Sequence, residues 1–255
     1  MKVVILAGGY GTRLSEETEV KPKPMVEVGD KPILWHIMKH YASFGHNEFY
    51  IALGYKSEYI KRFFMEFMAL SGSMTVNLAN GKHFKHEEQD ENWTVHLIET
   101  GTDTNTGGRI KRMQPYLEGE SFMLTYGDGV SSIDLDALEK FHKGHGKLAT
   151  VSAVRPPARF GGLELDGDTV LTFAEKPQMG EGWINGGFMV LEPSIFNYID
   201  GDAVNFEQVS LECMVKERQL MAYRHHGFWQ CMDTLRDKRT LDALWTSGDA
   251  PWKLW

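Results

Sequence analysis

Residues 1–14 read MKVVILAGGYGTRL, and the first half of that stretch decides the fold. Val3–Ala7 is an unbroken apolar run, largely β-branched. A strand with one wet face alternates apolar and polar residues, whereas an unbroken run belongs to a strand covered on both faces, as in a parallel sheet. Three glycines, Gly8, Gly9 and Gly11, follow at once. Working outward, Pro32 opens a helix in which Ile33, Leu34, Ile37, Met38 and Tyr41 recur at helical spacing, and Gly45 stops it. Phe49–Leu53 reads as a second strand and Ser57–Met68 as an amphipathic helix. The alternation continues through Thr94–Glu99, a helix from near Gly107, the strand Ser121–Tyr126, and a helix over Ile133–Gly146 with Asp134 as N-cap and Gly146 as stop. Strand–helix alternation of this kind predicts an α/β, Rossmann-like, doubly wound, mostly parallel (mixed) sheet.

The second half is richer in strands: Ala149–Arg155, Leu163–Leu165, Val170–Phe173 and Ile184–Leu191, with LDGDTV as a hairpin turn. Helices near Phe206–Arg218 and Thr234–Thr246 flank the strand Leu220–Tyr223. The polar stretch Asn80–Trp93 has no periodicity and reads as a long excursion, either a lid or a plain solvated loop. No internal repeat or linker divides the chain.

At 255 residues and 29.0 kDa there is ample material for a core. The 27 basic and 35 acidic residues give a formal charge of −8, which argues against a broad nucleic-acid or anionic-membrane surface and leaves room only for a local basic pocket. Cys213 and Cys231 lack a disulfide framework or metal-type spacing and are expected to be buried thiols in a reducing compartment. The opening apolar run is too short for a signal peptide, and no stretch reaches the roughly 18 apolar residues of a membrane span. The expected location is cytoplasmic.

Three mechanisms place glycines after a first strand. The dinucleotide fingerprint fails because Leu14 stands where its third glycine belongs, and the chain has no P-loop sequence. What remains is a turn whose backbone amides can approach phosphates, or simply a tight turn; Arg13 would present a charged fork to the same anion. The next segment, EVKPKPMVEVGDKPILWHIM, places Lys21 and Lys23 between prolines that restrict the loop. Three cations gathered in an acidic protein point to a small polyanionic ligand.

The stretches LAGGYGTRL, KPKPMVEVGDKPIL, YGDGV, FAEKP, INGGFMVL and GFWQCMDT together resemble the sugar-1-phosphate nucleotidylyltransferases, over nearly the whole chain. KPKPMVEVGDKPILWHIMKHYASFG, TGGRIKR and FWQCMDTLRDK most resemble the branch that works on CTP and glucose 1-phosphate and makes CDP-glucose for surface polysaccharides. The resemblance implies a single nucleotidyltransferase domain over 1–255, with a nucleotide-binding part at about 1–130, a sugar-phosphate-binding part at about 131–235, and a C-terminal helix and tail at 234–255. It implies CTP and glucose 1-phosphate as substrates, Mg²⁺ as cofactor, and a homo-oligomer with a hexamer as the candidate assembly; charge and hydropathy, as above, argue for no nucleic acid and no membrane. A nucleotidylyltransferase using UTP or dTTP, or another sugar phosphate, is the alternative, and a catalytically silent nucleotide-sugar-binding protein is the reading from another class.

Site residues follow from the same resemblance. Leu6, Ala7, Gly8, Gly9, Gly11 and Thr12 would form the nucleotide loop, with base recognition mainly by backbone groups near Leu6–Gly8. Arg13, Lys23 and Asp128 would be catalytic, and Arg109 would reach the nucleotide. Asp128 ends the strand SFMLTYGD, at the sheet edge where open α/β folds bind ligands. Asp233, ending GFWQCMD, reads on its own as the N-cap of the helix from Thr234; the resemblance makes it, with Asp128, a metal ligand. Gly162, Glu175, Lys176, Asn185 and Gly186 would hold the sugar phosphate. His142 and His145, at i and i+3, read as a surface pair. The aromatic tail APWKLW would dock on its own domain or at a subunit contact.

Overall fold

Alternate residues of the first strand point into two separate apolar layers: Val3 and Ile5 into one, Val4 and Leu6 into the other. The computed structural model describes residues 1–11, 14, 18–70, 72–86, 91–117, 119–156, 162–166, 169–174 and 182–255. In chain order the elements are β1 (Val3–Leu6), the short pair β2 (Glu27–Val28) and β3 (Lys31–Pro32), α1 (Ile33–Ser43), β4 (Glu48–Leu53), α2 (Ser57–Leu70), β5 (Met74–Asn77) and β6 (Lys82–Lys85). Then come β7 (Thr94–Glu99), α3 (Thr106–Arg112), α4 (Gln114–Leu117), β8 (Phe122–Tyr126), β9 (Gly129–Ser131), α5 (Leu135–His145) and β10 (Ala149–Val154). The hairpin β11 (Gly162–Asp166) and β12 (Thr169–Ala174) follows, then β13 (Ile184–Leu191), α6 (Glu212–Lys216), β14 (Leu220–Arg224), β15 (Trp229–Cys231) and α7 (Leu235–Thr246).

Seven strands form the main sheet in the order β14-β10-β13-β8-β1-β4-β7. Only β13 runs against its neighbours; β1 is parallel to both β4 and β8, β4 to β7, and β10 to β14. The sheet is mixed and mostly parallel, as expected. α1, α2, α5 and α7 cover one face through Ile37, Ile60, Leu138 and Leu241. α3, α4 and α6 cover the other through Ile110, Leu117 and Met214. Each such side chain contributes about 1.5–3 kcal/mol when taken from water, so packing on the sheet rather than helix propensity holds these helices. Because β4 lies on one side of β1 and β8 on the other, strand order reverses at β1, and the carboxyl ends of β1 and β8 open a crevice there.

Four sequence readings need amending. The stretch expected to be an excursion contains β6, which pairs with β5; all four β5 side chains are exposed, so no alternation betrayed the hairpin. The helix expected over 206–218 begins as a π-helical turn, Phe206–Leu211, before α6. His142 is not on the surface: α5 packs it against β10, where its Nδ1 meets Thr150 Oγ1 at 2.8 Å and its Nε2 meets Glu192 Oε1 at 3.0 Å. Both cysteines are half-buried rather than buried. The aromatic tail docks on its own chain, where Trp252 is buried and stacks on Trp245 and Phe228. Among the described residues no helix is long and apolar enough to cross a membrane.

Candidate active site

The crevice at the ends of β1 and β8 is a cleft of about 550 Å³. Leu6–Gly11 form one wall, Thr102–Thr106 and Arg109 another, and Lys23, Pro24 and Tyr126–Asp128 the floor. Gly127 N–H donates to Leu6 O at 3.0 Å, which fixes the two strand ends together beyond the ladder. Gly11 adopts a left-handed φ of +65° and lies close against Lys23 and Thr18, where a Cβ would come within 3.1 Å of each side chain. Thr18 closes the turn, its hydroxyl donating to Gly11 O at 3.1 Å and Leu14 O at 2.9 Å.

Lys23 sits in a 3-10 turn, Lys23–Met25, flanked by Pro22 and Pro24, and is only 8% exposed. Its Nζ donates to Asp128 Oδ2 and to Asp233 Oδ1, both at 2.6 Å. Burial works against this ammonium, but the two carboxylates outweigh it and hold its pKa above the ordinary lysine value. The meeting of two aspartates so distant in sequence has a local cause. β9 leaves Asp128 and pairs with β15, which ends just before Asp233, with Cys231 opposite Gly129. Met232 N–H then donates to Asp128 O at 2.8 Å, which sets the two aspartates side by side. Asp233 is not the cap of α7: Thr234 is, in a capping box with Asp237, leaving the Asp233 carboxylate to face Lys23. Burial, then the neighbouring Asp233 and Asp128, push the Cys231 thiol up to about 12 and keep it protonated.

Arg109 is buried and lies across the ends of three strands. Its Nη1 donates to Leu53 O, Thr100 Oγ1 and Gly101 O, and its Nη2 to Gly8 O and Thr102 O, at 2.7–3.1 Å. A Cβ at Gly8 would come within 2.2 Å of that Nη1, so this glycine is what lets the guanidinium approach the strand end. Arg109 therefore lines the cleft while holding its rim in shape. Burial, followed by the nearby Arg112, lowers its pKa from the ordinary arginine value. Tyr10 crosses the mouth, its hydroxyl donating to Asp103 Oδ1 at 2.7 Å.

Leu6, Ala7, Gly8, Gly9, Gly11, Lys23, Arg109 and Asp128 thus line one cleft, and Asp233 joins it through Lys23. Asn185 reaches it through Tyr126, with Nδ2 donating to the phenol oxygen at 3.3 Å. Gly186 is buried beside it and accepts from Trp229 Nε1 at 2.8 Å. Gly162 opens β11. Thr12, Arg13, Glu175 and Lys176 lie outside the described residues. Sequence reading missed Tyr10, Tyr126 and the Thr102–Thr106 wall. The one usable signal there was Asn105, which caps α3 by accepting from Thr106 N–H at 2.8 Å.

The nucleotidyl transferase family profile matches residues 2–232. The chain belongs to that family. Within it, this nucleotidyl transferase is 51% identical to glucose-1-phosphate cytidylyltransferase of Salmonella typhi, over 100% of both chains. It is 29% identical to the catalytic subunit beta of mannose-1-phosphate guanylyltransferase of Danio rerio, over 93% of this chain and 62% of the other. Among solved structures, HddC from Yersinia pseudotuberculosis superposes with a TM-score of 0.69 at 26% identity, covering 96% of this chain and 99% of that one.

Proposed function

We propose that this nucleotidyl transferase is a cytoplasmic glucose-1-phosphate cytidylyltransferase that transfers the cytidylyl group of CTP to glucose 1-phosphate. The full-length 51% identity to a protein of that name carries the reading, against 29% for a guanylyltransferase. A phosphate oxygen of glucose 1-phosphate forms a bond to the α-phosphorus of CTP. The bond from that phosphorus to the oxygen bridging it to the β-phosphate breaks, and its electron pair leaves with pyrophosphate. Two polyanions must be held in contact, so the protein's task is positioning and charge neutralisation.

The division of labour follows the chain. Residues of about 1–130 bind the nucleotide, those of about 131–235 the sugar phosphate, and 234–255 pack behind. Leu6, Ala7, Gly8, Gly9, Gly11 and Thr12 hold the base and triphosphate, with Arg109 keeping the carbonyls of that wall in register. Arg13 and Lys23 neutralise charge around the α-phosphorus and the departing pyrophosphate. Gly162, Glu175, Lys176, Asn185 and Gly186 hold the sugar phosphate.

Asp128 and Asp233 would hold a Mg²⁺ ion. The donor set fits: two hard carboxylates already converge on one cation, the Lys23 ammonium. When bound, that ion supplies Lewis-acid neutralisation of the phosphates. The exposed apolar side chains Val76, Leu78 and Phe84, on and around the β5–β6 hairpin, support self-association, with a hexamer as the candidate form. Light scattering measures it.

The test is pyrophosphate release with Mg²⁺ and glucose 1-phosphate across the nucleotides. Release with CTP and little with ATP or GTP is expected. Equal or faster release with UTP or dTTP would sink the base assignment, and none with any pair would sink the enzyme.

A further inference from the structure

Tyr126 stands where the two halves of the cleft meet. Its ring lies so close to β13 that a Cβ at Gly187 would come within 2.5 Å of Tyr126 Cδ2. Asn185, two residues earlier, is fixed at both ends of its amide. Its Oδ1 accepts from Gly187 N–H at 2.8 Å, and its Nδ2 donates to the Tyr126 phenol oxygen at 3.3 Å. The phenol in turn donates to Glu207 Oε1 at 2.5 Å. The other oxygen of that carboxylate, Oε2, accepts from the Thr106 hydroxyl at 2.7 Å, and Thr106 Oγ1 accepts from Phe206 N–H at 2.9 Å. Burial and the Glu207 charge push the phenol pKa up, so Tyr126 stays a donor.

One carboxylate therefore ties Tyr126, at the end of β8, to Thr106, at the start of α3. Both residues line the cleft, and their hydroxyls meet on Glu207, which is not itself in the lining. Glu207 is carried on the π-helical turn, a rare and wide form of helix that recurs at functional sites. The segment before it is zipped to α3: Asn105 N–H donates to Asp202 O and Gly107 N–H to Val204 O, each at 2.9 Å. Asn205 caps the turn by accepting from Gln208 N–H at 2.8 Å. Phe206 and Leu211 anchor the turn in the core, and its Glu207 carboxylate meets the two hydroxyls.

We infer that Glu207 is a positioning residue of this site. It fixes the spacing between the nucleotide wall, through Thr106, and the sugar side, through Asn185, which the Tyr126 hydroxyl holds, and so couples the fit of the two substrates. The inference rests on the assignment of those two halves under the proposed function.

Steady-state kinetics test it with Glu207→Ala, Tyr126→Phe and Thr106→Val, alone and in pairs with Glu207→Ala. Loss of one charge-assisted hydrogen bond is expected to raise the matching KM about tenfold. Tyr126→Phe should raise KM for the sugar phosphate and leave that for the nucleotide, and Thr106→Val should do the reverse. Glu207→Ala should raise both. In the Glu207→Ala background the other two substitutions should add less than about twofold, because their hydroxyls have lost the partner that oriented them. A Glu207→Ala enzyme with both KM values unchanged overturns the inference, and so do full-size second effects in the paired variants. If Glu207→Ala proves unfolded by circular dichroism, Glu207→Leu replaces it in the same cycles, since it keeps much of the volume and offers neither hydroxyl an acceptor. All KM values are taken on the nucleotide and sugar phosphate that the wild type turns over fastest. A wild type that prefers another pair thus overturns the substrate reading and leaves the comparison among variants intact.

Discussion

Replacing Lys23 by methionine keeps most of the side chain's length and removes its charge. In the native site Nζ lies 2.6 Å from an oxygen of Asp128 and 2.6 Å from one of Asp233, so those oxygens are at most twice that distance apart. Without the ammonium, two carboxylates face each other across that gap. At an effective dielectric constant of about 20 their repulsion is roughly 3 kcal/mol. Two charge-assisted hydrogen bonds are lost as well, and breaking a buried ion pair from one side commonly costs about 3–5 kcal/mol in all. Lys23→Met in a metal-free buffer should therefore unfold at a clearly lower urea midpoint than the wild type. Mg²⁺ should restore much of that difference, since a divalent cation can take the place of the ammonium. In the wild type the metal must displace Lys23, whereas in the variant it need not, so calorimetric titration with Mn²⁺ should give at least about tenfold tighter binding to the variant. Turnover should move the other way, falling on the order of 10²–10³-fold, because Lys23 is then missing from the phosphates. An unchanged midpoint together with unchanged Mn²⁺ affinity would refute the view that Lys23 occupies the position a metal would take.

Three further outcomes are expected. Asp128→Asn and Asp233→Asn should each abolish pyrophosphate release while circular dichroism stays native, and an active double variant would remove the metal site. Arg109→Lys exchanges a planar fork for a point charge that cannot reach the same carbonyls together; KM for CTP should rise about tenfold, and a KM within twofold of wild type would count against its holding the rim. His36 should make stability sensitive to acid. It is buried, with Nε2 2.9 Å from Val28 O, and burial lowers its pKa from 6.5 to about 4. The unfolded chain binds this proton first, so stability is fully present above about pH 6.5 and is lost as pH falls towards 4, by roughly 3 kcal/mol from this one residue. Urea midpoints across that window should fall less steeply for His36→Gln, and identical slopes would contradict the assignment.

The central strands could be read from sequence because they are buried on both faces and so show as apolar runs, unbroken in β1 and interrupted only by Thr125 in β8. The same logic explains the failures. β5 exposes every side chain, and β9 and β15 are three residues each, too short for any period to register. His142 was misplaced because helical spacing places residues on a face without saying what packs against it. In the cleft, charge carried the argument: Lys23 and Asp128 stood out in an otherwise ordinary loop and strand. Asp233 did not, since a carboxylate before a helix looks like a cap until Thr234 is seen to fill that role. Glu207 and Tyr126 were silent because their significance lies in a hydrogen bond spanning 81 residues.

The pairing of β9 with β15 has a consequence for how the protein is made. The contact between Lys23 and Asp233 spans 210 residues, so its ends meet only after nearly the whole chain has been synthesised. Contacts of such high order are slow to form and come late. β1, its glycine turn and the Thr102–Thr106 wall are all synthesised long before Asp233. The cluster of Lys23, Asp128 and Asp233 is thereby completed only when the last strand is in place, and a chain stalled short of Asp233 would carry the rest of the cleft without the carboxylate that closes it.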